Sequence, residues 1–369
     1  MRYSRFPLIA GLFALGATGA LAQTAVKVET VADGLENPWG LAFLPDGRML
    51  VTEKAGRLRI AASDGSLTEA IAGVPEVMAS GQGGLLDVAI DPDFKTNRLV
   101  YLSYAEAAKS VAGTAVARGT LSEDGSRLDD VQVIFRQEPK VEGRGHFGSR
   151  LAFAPDGTLF ITVGDRQGFR DEAQKTTSHI GKVMRINADG SVPKDNPFVG
   201  QEGAKSEIWS IGHRNVQAAA INPATGKLWT VEHGSRGGDE INDPEAGKNY
   251  GWPVISYGVE YSGAKIGVGT AKEGMEQPIY YWDPSIAPSG MAFYTGDLFP
   301  EWKGSLFVGA LKGQHLARLQ LDGEKIVREE KLIENVGDRI RDVRQGPDGA
   351  LYVLTDESKG RILRLTPGD

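Results

Sequence analysis

Side chains able to hold an anion stand at matching places beside recurring apolar stretches of this sequence. Gln82 occurs in SGQGGLLD, His146 in GRGHFGSR, Arg214 and Asn215 in GHRNVQ, Ser285 in DPSIAPSG, and Arg339 and Arg341 in GDRIRDV; Lys312 follows such a stretch in GALKGQ. Taken singly, an arginine or lysine reads as a solvated surface group, a histidine as structural, and Gln82 or Asn215 as a partner for loop backbone. Recurrence at one offset changes the reading. If these positions converge, one imidazole, several cations and two carboxamides share a cavity. Those cations need counter-charge, so the cavity would receive a polyanionic ligand.

A second constellation spans residues 230–253, TVEHGSRGGDEINDPEAGKNYGWP, in which glycines flank Asp239, Glu240 and Asn242. Calcium takes six to eight oxygens, many of them carbonyls in tight loops, and this segment suits that chemistry without matching the EF-hand loop. Other chemistries find no support. His179, His213, His233 and His315 lack the close spacing of a zinc site and there is no HExxH. No G-x-S-x-G elbow appears, and no GxGxxG follows a strand, so an embedded organic cofactor is the better candidate.

Something must bring these distant residues together. One unit recurs: a short apolar stretch, a turn, then a second apolar stretch. Its copies are GLAFLPDGRMLVTE, LLDVAIDPDFKTNRLVYLSY, RLAFAPDGTLFITVGD, AAAINPATGKLWTVEHG, GMAFYTGDLFPEWKGSLFVGAL and VRQGPDGALYVLTD. Each stretch is strand-length and stops at Gly, Pro, Asp or Asn, the hairpin signature. The runs are nearly continuous rather than alternating, so both strand faces are expected to be buried. Each interval between copies leaves room for two more strands. Six such units packed radially make an all-β chain, a six-bladed β-propeller of four-stranded antiparallel sheets. A two-sheet sandwich would not explain six copies of one inner hairpin. Residues just before each innermost strand then emerge at one end of the central channel. The uneven spacing predicts long loops over residues 166–207 and 234–288, where function tends to concentrate.

The first 22 residues, MRYSRFPLIAGLFALGATGALA, have a basic start, a short apolar run and an A-x-A site. They read as an export signal cleaved before Gln23, because spanning a bilayer takes ~20 apolar residues. Residues 23–369 are then expected to form a single propeller domain, periplasmic or secreted, with no membrane span after cleavage. There are no cysteines, so packing, closure of the fold or bound metal must supply stability. A net charge of −7 and the lack of a basic run argue against nucleic acid as a partner.

These residues resemble the PQQ-dependent aldose sugar dehydrogenases, the soluble glucose dehydrogenase family, over nearly the whole mature chain. The more specific segments are GQGGLLDVAIDPDF, GHFGSRLAFAPDGTLFITVGDR, IGHRNVQ, EHGSRGGDEIN with KNYGWP, and GDRIRDV. The resemblance implies two cofactors, pyrroloquinoline quinone (PQQ) and calcium. It implies that His146 is the general base and that Asp165 supports it. Gln82, Arg214, Asn215, Lys312, Arg339 and Arg341 match cofactor-contacting positions. Gly234 and Ser235 match residues whose carbonyls hold calcium beside PQQ, and Glu240 with the Tyr250 carbonyl matches a further calcium site. Ser235 stands where many relatives have proline, a change that spares a carbonyl ligand. Gly145 stands where the glucose dehydrogenases have aspartate, and the long loops differ in length. The chain therefore looks closer to the broad-specificity aldose branch.

The activity implied is oxidation of an aldose at its anomeric carbon to a lactone, with electrons passed to an external acceptor. Two other readings use the same architecture: a calcium-dependent lactone hydrolase, with Asp, Glu and Asn ringing one axial metal, and a non-catalytic propeller that binds a protein partner. Fold alone cannot choose among them.

Overall fold

Three of the hairpin turns carry Pro-Asp-Gly, and all three close the same way. Gly47, Gly157 and Gly349 take positive φ of 88°, 82° and 78°, which glycine adopts without strain. One residue further on, the backbone N–H of Arg48, Thr158 and Ala350 donates to Oδ1 of Asp46, Asp156 and Asp348 at 3.0, 3.0 and 3.1 Å. The aspartate thus fixes the turn that glycine permits.

The computed structural model describes residues 25–368. The expected export segment, residues 1–22, lies outside them. Among the described residues no helix is long and apolar enough to cross a membrane. The six hairpins expected from the repeats are the inner two strands of six antiparallel sheets. Their innermost strands are Pro38–Phe43, Leu85–Ile90, Leu151–Phe153, Val216–Ile221, Pro288–Phe293 and Ile340–Gln345. Each touches the next, and the last touches the first. The fold is a closed six-bladed β-propeller.

Burial explains the unalternating pattern of the runs. The second strands of five blades, Met49–Glu53, Leu159–Val163, Leu228–Glu232, Leu306–Ala310 and Leu351–Thr355, are buried at every position. Each is packed between two neighbouring sheets. Leu50, Leu58 and Ile60 of the first blade meet Leu85, Val100 and Leu102 of the second; Phe307 and Leu316 of the fifth meet Val343, Val353 and Leu365 of the sixth.

The ring is closed by the chain's own ends. Val26–Leu35 pairs antiparallel with Gly360–Pro367 and becomes the outermost strand of the sixth blade. The first blade has three regular strands. Its fourth place is taken by an irregular segment, from which Thr68 and Ile71 donate backbone N–H to Ile60 and Leu58 carbonyls.

The two stretches expected as long loops are shorter than that. Lys182–Ile186 lies within the first, and Asp239–Asn242 and Tyr280–Trp282 within the second, as outer strands of the third and fourth blades. The longest insertion is residues 243–279, between the third and fourth strands of blade four.

Candidate functional site

Where the innermost strands begin, the chain encloses a cavity of about 210 Å³. Gln82, Asn215, Arg339 and Arg341, from three blades, all line it. Four residues that the repeat argument singled out therefore converge as it requires. Lys54, His233, Trp39 and Asp356 complete the polar and aromatic wall.

His146 is joined to this wall through its backbone. Its N–H donates to Gln82 Oε1 at 2.7 Å, and the N–H of Gly148, two residues on, donates to Asn215 Oδ1 at 3.2 Å. These bonds hold a loop in which His146 itself has a left-handed φ of 52°. The imidazole Nδ1 lies 2.6 Å from Asp165 Oδ1. Asp165 is in turn fixed by the indole N–H of Trp252 on Oδ2, at 2.8 Å, and by the backbone N–H of Gln167 on Oδ1, at 2.9 Å. A carboxylate at Nδ1 selects the tautomer with its proton there and leaves Nε2 a lone pair. Burial pushes the His146 pKa below 6.5; Asp165 opposes this, while Arg214 and Arg166 reinforce it. The ring is thus a buried, oriented, neutral base.

The cations are unevenly paired. Asp356 Oδ2 accepts from Arg341 Nη2 at 3.0 Å and Arg339 Nη2 at 3.2 Å. Burial alone would push the Asp356 carboxyl up, but Arg341, then Arg339 and Lys54, hold it below the ordinary range. Arg341 Nη1 also donates to Gln217 Oε1 at 3.1 Å, and its Nε, though buried, has no partner. The cavity wall thus carries Lys54, Arg339 and Arg341 against one carboxylate, Asp356.

Arg214 lies in an adjoining pocket that shares His233 with the cavity. Its guanidinium packs 5.2 Å from the Trp252 ring and donates to the carbonyls of His233 and Gly234, at 3.1 and 2.5 Å. Its Nε is buried without a partner. Lys312 behaves differently. Its neighbour Leu311 lines the cavity, but the lysine side chain is exposed and outside the lining. Ser285 is structural: its hydroxyl bonds Asp239 and accepts the N–H of Ala287.

The adjoining pocket gathers Gly234, Glu240 and Tyr250 of the expected calcium ligands, with Ser235 buried beside them. Its loop is dense in main-chain oxygen. A Cβ on Gly234 would lie 2.1 Å from Gly237 O and 2.3 Å from Gly238 O, so only glycine fits. Burial, and then the charge of Glu232, push the Glu240 carboxyl up to about 8. A cation taken there would relieve both costs. Among the described residues no cluster of three or more His, Cys, Asp or Glu could hold a metal. Carbonyls with one or two carboxylates are the donors this pocket could offer a cation, a set that would suit calcium rather than zinc. Arg214 shares the Gly234 oxygen, so the two positive groups would compete for it. Asp239, at the centre of the same loop, is spent on structure: it accepts backbone N–H from Gly234, Ile286 and Ala287 at 2.9, 2.8 and 3.0 Å.

Several wall residues escaped the sequence reading. Trp39 occupies the shared offset in the first blade, but an indole carries none of the charge or carboxamide that marks an anion site in sequence. Lys54 and Asp356 follow the second strands of blades one and six, a place that the sequence reading takes up in blade five alone, with Lys312. His233 was weighed only against zinc spacing. Trp252 was visible only as part of the KNYGWP motif, with nothing to tie it to Asp165.

In sequence and in fold the chain is similar to known proteins. The profile of the Glucose / Sorbosone dehydrogenase family matches residues 35–364. The chain is 48% identical over 350 residues to the aldose sugar dehydrogenase YliI of Escherichia coli (strain K12), covering 94% of each. Among solved structures it matches the soluble aldose sugar dehydrogenase from Escherichia coli in the apo-form, at 48% identity and a TM-score of 0.91, over 93% of this chain and 100% of that one. It also matches the PQQ-bound form of aldose sugar dehydrogenase from Streptomyces coelicolor, at 30% identity and a TM-score of 0.78, over 93% of this chain and 99% of that one.

Proposed function

Because the chain belongs to the Glucose / Sorbosone dehydrogenase family, we propose that it oxidises aldose sugars at the anomeric carbon to lactones, using PQQ and calcium. The observation that carries this is an oriented neutral imidazole, His146 on Asp165, joined to a cavity wall with surplus positive charge. Bound PQQ would supply a quinone that accepts hydride, and calcium beside it a Lewis acid.

This chain's residues do the rest. Arg341, Arg339 and Arg214, with the carboxamides of Gln82 and Asn215, suit the three carboxylates and quinone oxygens of such a cofactor. The buried unpartnered Nε atoms of Arg341 and Arg214 support that fit. Lys312 is assigned to the same task on the family resemblance; its exposed side chain would have to fold inward. The carbonyls of Gly234 and Ser235 are assigned to the calcium beside the cofactor, and Glu240 with the Tyr250 carbonyl to a further calcium.

His146 Nε2 takes the anomeric hydroxyl proton as the C–H bond breaks. Asp165 holds the ring's tautomer and stabilises the imidazolium formed. General-base help of this kind is worth ~10²–10⁴-fold. Electrons then leave to an external acceptor, and the export signal read at residues 1–22 supports a periplasmic or secreted site of action.

The hydrolase reading loses its donors. Asp87 and Asp342, the carboxylates on the innermost strands, are both paired with Arg150 and Arg344 and free to hold no axial metal.

The test is reconstitution. Apoprotein given PQQ, calcium and an aldose should reduce an artificial dye, and omitting either cofactor should abolish the reaction. His146→Ala should lower turnover at least ~10²-fold while PQQ still binds. Near-normal turnover in that variant removes His146 as the base.

A further inference from the structure

The loop that presents His146 is ordered by side chains rather than by regular secondary structure: besides the bonds to Gln82 and Asn215, Thr114 Oγ1 donates to Phe147 O at 2.6 Å. Residues 142–150 form no regular strand or helix. Gly143, His146, Gly148 and Ser149 take positive φ of 102°, 52°, 63° and 82°. Such a chain is costly to fix, yet a base displaced by about 1 Å can lose ~10²-fold in rate.

Another side chain grips it at three points. Arg166 is 1% exposed. Its Nε donates to Gly145 O at 2.9 Å, its Nη2 to Gly143 O at 2.7 Å and its Nη1 to Ala112 O at 2.7 Å. The guanidinium lies 3.7 Å over the Phe147 ring. The contacts thus fall three residues before, one before and one after His146, and Ala112 ties them to the strand Val111–Leu121 of the second blade. The main chain adds a fourth hold, from Arg166 N–H to His146 O at 3.3 Å. Among the described residues no carboxylate forms an ion pair with Arg166. Burying an unpaired guanidinium is expensive, and a neutral side chain could fill the space at less cost. What a neutral side chain lacks is a planar fork that reaches three carbonyls at once.

We propose that Arg166 is a positioning residue for the dehydrogenation: its fork on Gly143, Gly145 and Ala112 holds the His146 imidazole on Asp165 and at the cavity edge. It touches neither sugar nor cofactor and acts only through His146. The proposal rests on His146 being the base.

Two variants of the full-length protein, Arg166→Met and Arg166→Lys, test it by two readouts. In the calcium- and PQQ-loaded enzyme, Arg166→Met should lower kcat by ~10²-fold with KM for the sugar and PQQ affinity nearly unchanged. Arg166→Lys should recover part of that loss. In apoprotein, the low-field proton resonance of His146 Nδ1, identified by its absence from His146→Ala, should broaden or vanish in Arg166→Met. Wild-type kcat or an unaltered resonance in Arg166→Met overturns the proposal. If that variant does not fold, an unaltered resonance in Arg166→Lys, together with wild-type kcat, does the same. A fully active His146→Ala enzyme would instead sink the base assignment itself, so the two failures are separable.

Discussion

Two groups of charge lie along the propeller's axis, and they are built on opposite principles. Deeper in the ring, Arg150 Nη1 sits 3.0 Å from Asp87 Oδ1 and 3.1 Å from Asp342 Oδ1, while Arg344 reaches the same two carboxylates at 3.1 Å each. The backbone N–H groups of Leu41 and Leu151 donate to Oδ2 of Asp342 and Asp87, at 3.2 and 2.9 Å. Two cations meet two anions, and the quartet joins blades one, two, three and six. At the mouth, three lining cations share Asp356. Trp39 touches both groups, with the guanidiniums of Arg150 and Arg341 at 4.3 and 5.7 Å from its ring. Balanced charge tied across blades is a staple. Surplus charge in a cavity is a demand for a ligand.

The comparison breaks most visibly if the staple can be removed without loss. Arg150→Met leaves Asp87 and Asp342 sharing one arginine in a buried site, and breaking such a network costs ~3–5 kcal/mol. Thermal or denaturant unfolding should register that loss; a variant as stable as the parent would mean the quartet is no staple. Arg341→Met should do the reverse. Asp356 keeps Arg339 and Lys54 nearby, so stability should change by less than ~1 kcal/mol, while PQQ affinity falls about 10- to 100-fold, the worth of ~1.5–3 kcal/mol for a bond to a charged group. Titration of apoprotein with PQQ at fixed calcium reads the second quantity directly.

The smallest effect, per pH unit, comes from the mouth's second histidine. His233 Nε2 donates to the Pro288 carbonyl at 2.6 Å. Burial, with Arg214, His146 and Arg341, lowers its pKa from 6.5 to about 3. The folded state refuses a proton that the unfolded chain accepts below 6.5. Stability should therefore be unaffected by this group above about pH 6.5 and decline as pH falls toward 3, by at most ~1.4 kcal/mol per unit. His233→Asn should flatten the stability–pH curve in that window; an unchanged slope would show that His233 takes up its proton in the folded state.

Much of the ring was legible because its constraints are local. Pro-Asp-Gly turns and unbroken apolar runs report on the few residues around them, and all six hairpins are found where those signals lie. The recurring Gly-Leu-Ala-Phe and Gly-Met-Ala-Phe segments were visible too, though their reason was not. A Cβ on Gly40 would lie 2.7 Å from Asp87 Oδ1, and one on Gly290 2.1 Å from Asp342 Oδ1, so these glycines leave room for the quartet's carboxylates. Within the site, the offset argument found Gln82, Asn215, Arg339 and Arg341, because a repeated backbone puts equivalent residues at equivalent heights. It missed Trp39, Lys54 and Asp356, and the Lys312 side chain is exposed, outside the lining.

Taken alone, the amino-acid sequence determined the number of blades, the direction of each inner hairpin and the end of the channel at which function gathers, since each depends on turn chemistry and burial within a short stretch. Only the tertiary structure decided which charges are spent and which are available. Asp239 and Asp342 are as acidic in sequence as Asp356; what separates them is that hydrogen-bond donors or cations from other blades reach the first two, while the arginines on Asp356 come from its own blade. Pairing across a ring is fixed by distances between residues far apart in the chain, and no local pattern encodes those.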